Sequence, residues 1–159
     1  MSDRKLAVVV LAAGKGTRMK SDLPKVLHPV AGKPMLWHVL ASVSALQPAE
    51  TVVVVAPGMD DVAAAAAPSR CAVQAQPLGT GHAVAAAREA LAPLVDSGAA
   101  DLLVVFGDCP LMTSDTLQRM LDARRQVDAP DFVGLAFRPE DPAAYGRVIL
   151  DDPQAGEAG

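Results

Sequence analysis

Five short apolar runs, Leu6–Leu11, Thr51–Ala56, Cys71–Gln74, Asp101–Phe106 and Asp131–Phe137, recur along the chain, and the stretches between the first four and after the fourth carry helical patterns. Runs this short, rich in Val and Leu and bounded by turn residues, read as buried strands. Pro34–Leu46 places Leu36, Val39, Leu40, Val43 and Leu46 at helical spacing, with Pro34 suited to the first helical position. Asp60–Ala67, Gly81–Leu91 and Ser114–Val127 are the other predicted helices. Asp60 and Asp61 favour a helix start, and Thr113 or Ser114 would cap the last helix. Strands alternating with helices constrain the chain to an α/β fold: a mostly parallel sheet with helices on both faces.

The residues after the first run narrow the chemistry. Leu11-Ala12-Ala13-Gly14-Lys15-Gly16-Thr17-Arg18-Met19, continuing to Leu23-Pro24-Lys25, supplies small residues and then cations. Glycine lets backbone N–H groups approach a phosphate with no Cβ in the way. Arg18 and Lys25 add the charge that a di- or triphosphate requires. A Walker A loop is excluded, because no Gly-Lys-Ser/Thr triplet exists. A dinucleotide fingerprint fails as well: Met19 takes the place of its third glycine, and no Asp or Glu near position 36 could hold a ribose. The stretch reads as a nucleotide-phosphate loop at a strand end, against the alternative of a Gly-rich turn beside a solvated basic patch.

A chain of 159 residues with 51% hydrophobic content suits one domain with a real core. Its net charge of −4, with no basic stripe, argues against nucleic acid as a partner. The cations are local, at Lys15, Arg18, Lys20 and Lys25, which favours a small anionic ligand. Cys71 and Cys109 form no C-x-x-C pair, and His28, His38 and His82 show no metal spacing, so neither a disulfide framework nor a zinc site is expected. His38, inside a predicted helix, reads as structural, and His82 as a support for the turn it follows. Asp108 would raise the thiol of its neighbour Cys109, which argues against a nucleophilic cysteine. No apolar run approaches the roughly 18 residues needed to span a bilayer, and the first is too short for a signal peptide. The expected location is the cytoplasm, with no membrane partner.

Ligands of such sheets bind outside the carboxyl ends of the strands. The glycine loop follows the first predicted strand, Gln74–Thr80 the third and Gly107-Asp108 the fourth, so all three should face one edge. Asp108 is a carboxylate placed there by a strand end, and magnesium, a hard ion, takes carboxylate and phosphate oxygens. Its other reading is an Asp that opens the turn before Pro110.

These residues resemble the nucleoside triphosphate transferases that make nucleotide sugars, and the stretch Leu23-Pro24-Lys25-Val26-Leu27-His28-Pro29-Val30-Ala31-Gly32-Lys33-Pro34-Met35 is similar to their sugar-phosphate branch. Gln74-Ala75-Gln76-Pro77-Leu78-Gly79-Thr80-Gly81-His82-Ala83, Gly107-Asp108-Cys109-Pro110-Leu111 and Tyr145-Gly146-Arg147-Val148 narrow the resemblance further. They resemble the bacterial N-acetylglucosamine-1-phosphate uridylyltransferases, the N-terminal halves of bifunctional enzymes. Gln76-Pro77 departs slightly from that pattern.

The resemblance implies a three-layer α/β/α, Rossmann-like (GT-A-like) nucleotidyltransferase domain over residues 1–159, incomplete at its C-terminus and without the acetyltransferase β-helix. It implies attack of a sugar-1-phosphate oxygen on the α-phosphorus of UTP, with Mg2+ as cofactor. The products would be pyrophosphate and UDP-N-acetylglucosamine, a precursor of peptidoglycan and lipopolysaccharide. Arg18 and Lys25 would be catalytic, Lys25 on the transferred phosphoryl group and Arg18 with Lys15 on the pyrophosphate. Nucleotide contacts would come from Leu11, Ala12, Ala13, Gly14, Lys15, Gly16, Lys25, Gln74, Gly79, Thr80, Phe106, Gly107 and Asp108. Among them Gln74 would read the uracil edge, and Gly79 and Thr80 would pack under base and ribose. Asp108 would hold the metal and Gly146 the sugar.

The family's later Val-Glu, Asn-Thr-Gly and Asn stretches, which complete its sugar and metal contacts, have no counterpart before Gly159. UTP binding with little turnover is therefore the expectation. Another sugar-1-phosphate nucleotidylyltransferase and a non-catalytic nucleotide-binding module are the alternatives, and a homo-oligomer stays open.

Overall fold

The computed structural model describes residues 4–14, 16, 19–98, 100–128, 130–141, 143 and 145–149. Four parallel strands make the central sheet: β1 (Lys5–Leu11), β4 (Glu50–Val55), β5 (Arg70–Val73) and β6 (Ala100–Phe106), in the order β5-β4-β1-β6. A two-stranded antiparallel hairpin, β2 (Pro29–Val30) with β3 (Lys33–Pro34), stands apart from it. Its turn, Ala31-Gly32, has positive φ at both residues, the conformation that a two-residue hairpin turn needs.

Helices cover both faces. Val8 and Val10 of β1, Val53 and Val55 of β4, and Leu103 and Val105 of β6 pack with Leu36, Val39 and Val43 of α1 (Met35–Ser44). Val62 of α2 (Asp60–Ala65) and Leu117 and Leu121 of α5 (Ser114–Arg124) complete that layer. On the other face Ala7, Val9, Leu11, Val52 and Val54 meet Ala83 of α3 (Thr80–Ala86), Leu91 of α4 (Arg88–Val95) and Ala87 between them. β1 and β4 are apolar on both faces because both faces are roofed. The mixed α/β fold with a parallel sheet and helices on both sides is as the sequence predicts.

Four local expectations need correction. Pro34 is the cap of α1, extended at φ −51° and ψ 142°, because it also pairs with Pro29 in the hairpin; the helix starts one residue later. The stretch Gly81–Leu91 holds two helices rather than one, with a tight turn at Ala87, whose N–H bonds the Val84 carbonyl three residues back. Nothing in that alanine-rich sequence marks the break. The last helix stops at Arg124, short of Val127, with Thr113 as its N-cap: the hydroxyl accepts from the Thr116 N–H at 3.2 Å.

The fourth correction is larger. Asp131–Phe137 forms no strand, and Phe132, Leu135 and Phe137 stand exposed. A β-like pattern becomes a strand only when a neighbour completes its hydrogen-bond ladder. Among the described residues none pairs with this segment, nor with the outer edge of β6.

Candidate functional site

Leu11 of β1 lies level with Val54 of β4 and Phe106 of β6, so three strand ends open at one edge. The chain leaves β1, builds outward through β4 and β5, then returns to the other flank of β1 as β6. The order therefore reverses between β1 and β6, where open α/β sheets bind their ligands. A cavity of about 880 Å3 lies there.

Three segments that the sequence singled out contribute to the cavity lining. Leu11, Ala12, Ala13, Gly14, Gly16, Lys25 and Val26 come from the first strand end and the turn beyond it. Gln74 and Gly79 come from the loop after β5, Thr80 from the start of α3, and Phe106 and Asp108 from the end of β6 and the turn beyond it. Gly107 does not line it. Its N–H donates to the Leu11 carbonyl at 2.9 Å, and a Cβ there would come within 3.1 Å of that oxygen, so a side chain would push β6 from β1. Gly146 is exposed and lies off the cavity, and Lys20 is exposed outside it as well. Lys15 and Arg18 lie outside the described residues.

The turn Lys25–Leu27 is a single turn of 3-10 helix that explains how Lys25 reaches the site. Val26 is buried in the core, which pins the turn and leaves the neighbouring lysine at the cavity wall. Lys25 Nζ donates to Asp108 Oδ2 at 2.7 Å, with both side chains about one-third exposed at 39% and 33%. Gly16 lies against this lysine: its φ is +59°, and a Cβ would stand 2.6 Å from Lys25 Cβ. Only glycine meets both conditions without displacing the loop.

Gln74, at the opposite end of the lining, is buried. Its Nε2 donates to the Gly79 carbonyl at 3.1 Å and contacts His82 Nδ1 at 3.2 Å. Beside Asp108, burial first and the carboxylate second push the Cys109 thiol up, and its Sγ lies 3.9 Å from Asp108 Oδ1. A thiol raised in this way is a poorer nucleophile, and the carboxylate acts on it in the direction the sequence predicts. His38 bonds the Val30 carbonyl at 2.8 Å, a structural role that ties α1 to the hairpin.

Among the described residues no group of three or more His, Cys, Asp or Glu could hold a metal ion by itself. A magnesium ion commonly needs only one or two carboxylates, taking its other ligands from water and substrate phosphates. Among the described residues the one carboxylate of the cavity wall, Asp108, already faces a positive charge, the Lys25 ammonium, where a cation would stand. The donor set fits an ion carried in with a nucleotide.

The lining also includes Met19, Ala56, Pro57, Ala75, Pro77 and Ala83, which the sequence reading did not single out. Ala56 and Pro57 follow β4, so the strand-end rule covers them as it covers the other three segments.

Comparison with known proteins gives a consistent picture. The bifunctional protein GlmU of Rhodospirillum rubrum is 52% identical over 145 residues, 91% of this chain and 32% of that protein. GlmU of Parvibaculum lavamentivorans is 55% identical over 147 residues, 90% of this chain and 31% of its own length. The chain thus spans about a third of the length of these curated relatives. Among solved structures, Rv0371c of Mycobacterium tuberculosis in complex with manganese superimposes with a TM-score of 0.55 at 26% identity, covering 75% of this chain and 59% of that one. The 4-diphosphocytidyl-2C-methyl-D-erythritol synthase of Anaerococcus prevotii shares the fold, with a TM-score of 0.59 at 16% identity over 77% of this chain and 52% of that one. The match to the MobA-like NTP transferase domain runs over residues 8–155, spanning all the strand ends that meet at the cavity. The chain therefore belongs to the MobA-like NTP transferase domain family.

Proposed function

We propose that this chain is the nucleotide-binding part of a sugar-1-phosphate uridylyltransferase, joining UTP to N-acetylglucosamine-1-phosphate with release of pyrophosphate. One observation carries the reading. Gly14 and Gly16, a Lys–carboxylate pair and a buried Gln, far apart in sequence, line one cavity at the reversal of strand order. The identity to proteins named bifunctional GlmU supports the uridylyl choice, because the motifs quoted above resemble that family.

In this reading a phosphate oxygen of the sugar phosphate bonds to the α-phosphorus while the bond to the β-phosphate breaks. Such transfers depend on alignment and on neutralising developing charge more than on covalent help. Lys25 holds the transferred phosphoryl group, and Arg18 with Lys15 takes the pyrophosphate. Backbone N–H groups near Ala13–Gly16 complete the cradle, while Gln74, Gly79 and Thr80 receive the base and ribose. Leu11 and Phe106 shape the floor of the site, Gly107 ties their strand ends together, and Gly146 belongs to the sugar side. Asp108 holds a divalent cation, Mg2+ in the cell, which when bound would offset charge on the phosphates. The manganese complex of the Rv0371c protein is in keeping with a metal in this fold. The cytoplasm, where nucleoside triphosphates are made, is the compartment for this activity.

Titration calorimetry with UTP, CTP and GTP in magnesium tests the binding half, and UTP should bind tightest. Pyrophosphate release with added N-acetylglucosamine-1-phosphate tests the chemistry. Release should stay near background for residues 1–159, since among the described lining residues the polar groups are claimed by nucleotide and metal. Absence of any nucleotide binding would overturn the proposal. Turnover at ordinary enzyme rates of about 1–1000 per second would overturn the assignment of residues.

A further inference from the structure

His82 lies behind the cavity wall and touches Gln74, which lines it. The hydrogen bonds of Gln74 determine which end of its amide is which. The Gly79 carbonyl can only accept, so the group 3.1 Å from it is the amide nitrogen. The same nitrogen lies 3.2 Å from His82 Nδ1. With the amide donating, Nδ1 must accept, which requires a neutral ring carrying its hydrogen on Nε2. Both hydrogens of the Gln74 amide are then committed. Its oxygen has no hydrogen-bond partner among the described residues, and no buried side-chain oxygen or nitrogen there is left sealed and unpaired. The Gln74 oxygen is therefore the end left for a ligand in the cavity.

We propose that His82 is a positioning residue that holds Gln74 with its carbonyl oxygen toward the cavity, selecting a pyrimidine with an N–H at ring position 3 over one with a bare nitrogen there. The inference rests on the nucleotide reading of this cavity. Uracil presents N3–H between two carbonyl oxygens, so the Gln74 oxygen accepts from it. Cytosine presents a lone pair at N3, which opposes the same oxygen. Without His82 one of the two bonds that oppose rotation is gone, so turning the amide to present its NH2 group costs only the Gly79 bond. An amide held by one bond in place of two discriminates less between the bases. The side chain that contacts the ligand would be Gln74, but part of the hold on its orientation would come from one residue further back.

The test has two readouts on the full chain, with His82→Ala removing the acceptor and His82→Asn supplying an amide oxygen in its place. Nitrogen-15 NMR of the ligand-free protein should show His82 as the Nε2–H tautomer. The Gln74 side-chain amide should be protected from exchange in the parent and His82→Asn proteins and exposed in His82→Ala. Calorimetry should show the ratio of CTP to UTP dissociation constants falling about tenfold in His82→Ala, the scale of one hydrogen bond. That ratio should be largely restored in His82→Asn. A hydrogen on Nδ1, or equal amide protection in His82→Ala, would overturn the positioning role without reference to any nucleotide. An unchanged base ratio in a folded His82→Ala protein would overturn the selectivity claim. Intact protection in a parent protein that binds no nucleotide would uphold the positioning and overturn the proposed function instead.

Discussion

At the scale of single residues, the site is built around one contact, Lys25 to Asp108. Both side chains are about one-third exposed, so the pair itself contributes little, on the order of 0–1 kcal/mol, to folding. Its value lies in what replaces it when phosphate and cation arrive. Lys25→Ala should weaken UTP binding by about 1.5–3 kcal/mol, the scale of a charge-assisted hydrogen bond, with little change in melting temperature. Asp108→Asn keeps the volume and removes the charge, so calorimetry with and without magnesium should lose most of the metal-dependent affinity. Equal stimulation by magnesium in both proteins would remove Asp108 from the metal site. Gly16→Ala offers a test that alters no charge: its Cβ would collide with Lys25, so UTP affinity should fall as it does in Lys25→Ala. Unchanged affinity in Gly16→Ala would mean that the loop does not set the lysine.

Elements are joined by a second charged cluster, far from the chemistry. Asp101, at the start of β6, is 3% exposed; it accepts from Arg4 Nε at 2.9 Å and from Arg125 Nε, at the end of α5, at 2.7 Å. Burial by itself would raise this carboxyl, but hydrogen bonds and charge from Arg125 and Arg4 outweigh it and hold it below its ordinary value of 3.8. A carboxylate lowered in the fold stabilises fully above its unfolded value and loses that contribution as pH falls through the folded one. Stability should therefore hold down to about pH 5 and fall below it, more steeply in the parent than in Asp101→Asn. At neutral pH Asp101→Asn should cost about 3 kcal/mol, since it breaks a buried pair. Parallel acid-unfolding curves for the two proteins would refute this account. Thr113→Ala removes the N-cap of α5 and should cost about 1 kcal/mol, read as a shift in denaturant midpoint.

For the molecule as a whole, β6 leaves an apolar face of the sheet uncovered. Leu103 and Val105 are buried under α1 and α5, whereas Leu102, Val104 and Phe106 on the opposite face are exposed at 45%, 37% and 51%. An uncovered apolar face of this kind binds hydrophobic dyes. Leu102→Lys combined with Val104→Lys should sharply reduce anilinonaphthalene sulfonate fluorescence while the melting temperature stays near that of the parent. Undiminished dye binding would place the exposed apolar surface elsewhere.

The strands that carry the fold were legible because burial leaves its mark on composition: Val8 to Val10 and Val52 to Val55 are apolar on both faces, as only a roofed parallel sheet requires. The convergence of the glycine loop, Gln74 and Asp108 was legible for a related reason, since strand direction alone sends all three to one edge. Asp131–Phe137 carries the same local pattern and is no strand, because a ladder needs a partner that local sequence cannot supply. The pairing of Lys25 with Asp108 and the anchoring of the Gln74 amide by His82 were likewise decided by tertiary structure. Periodicity says which face a residue takes and which end of a strand it follows. The distance between two side chains from separate segments, and the direction in which an amide points, depend on how the layers pack.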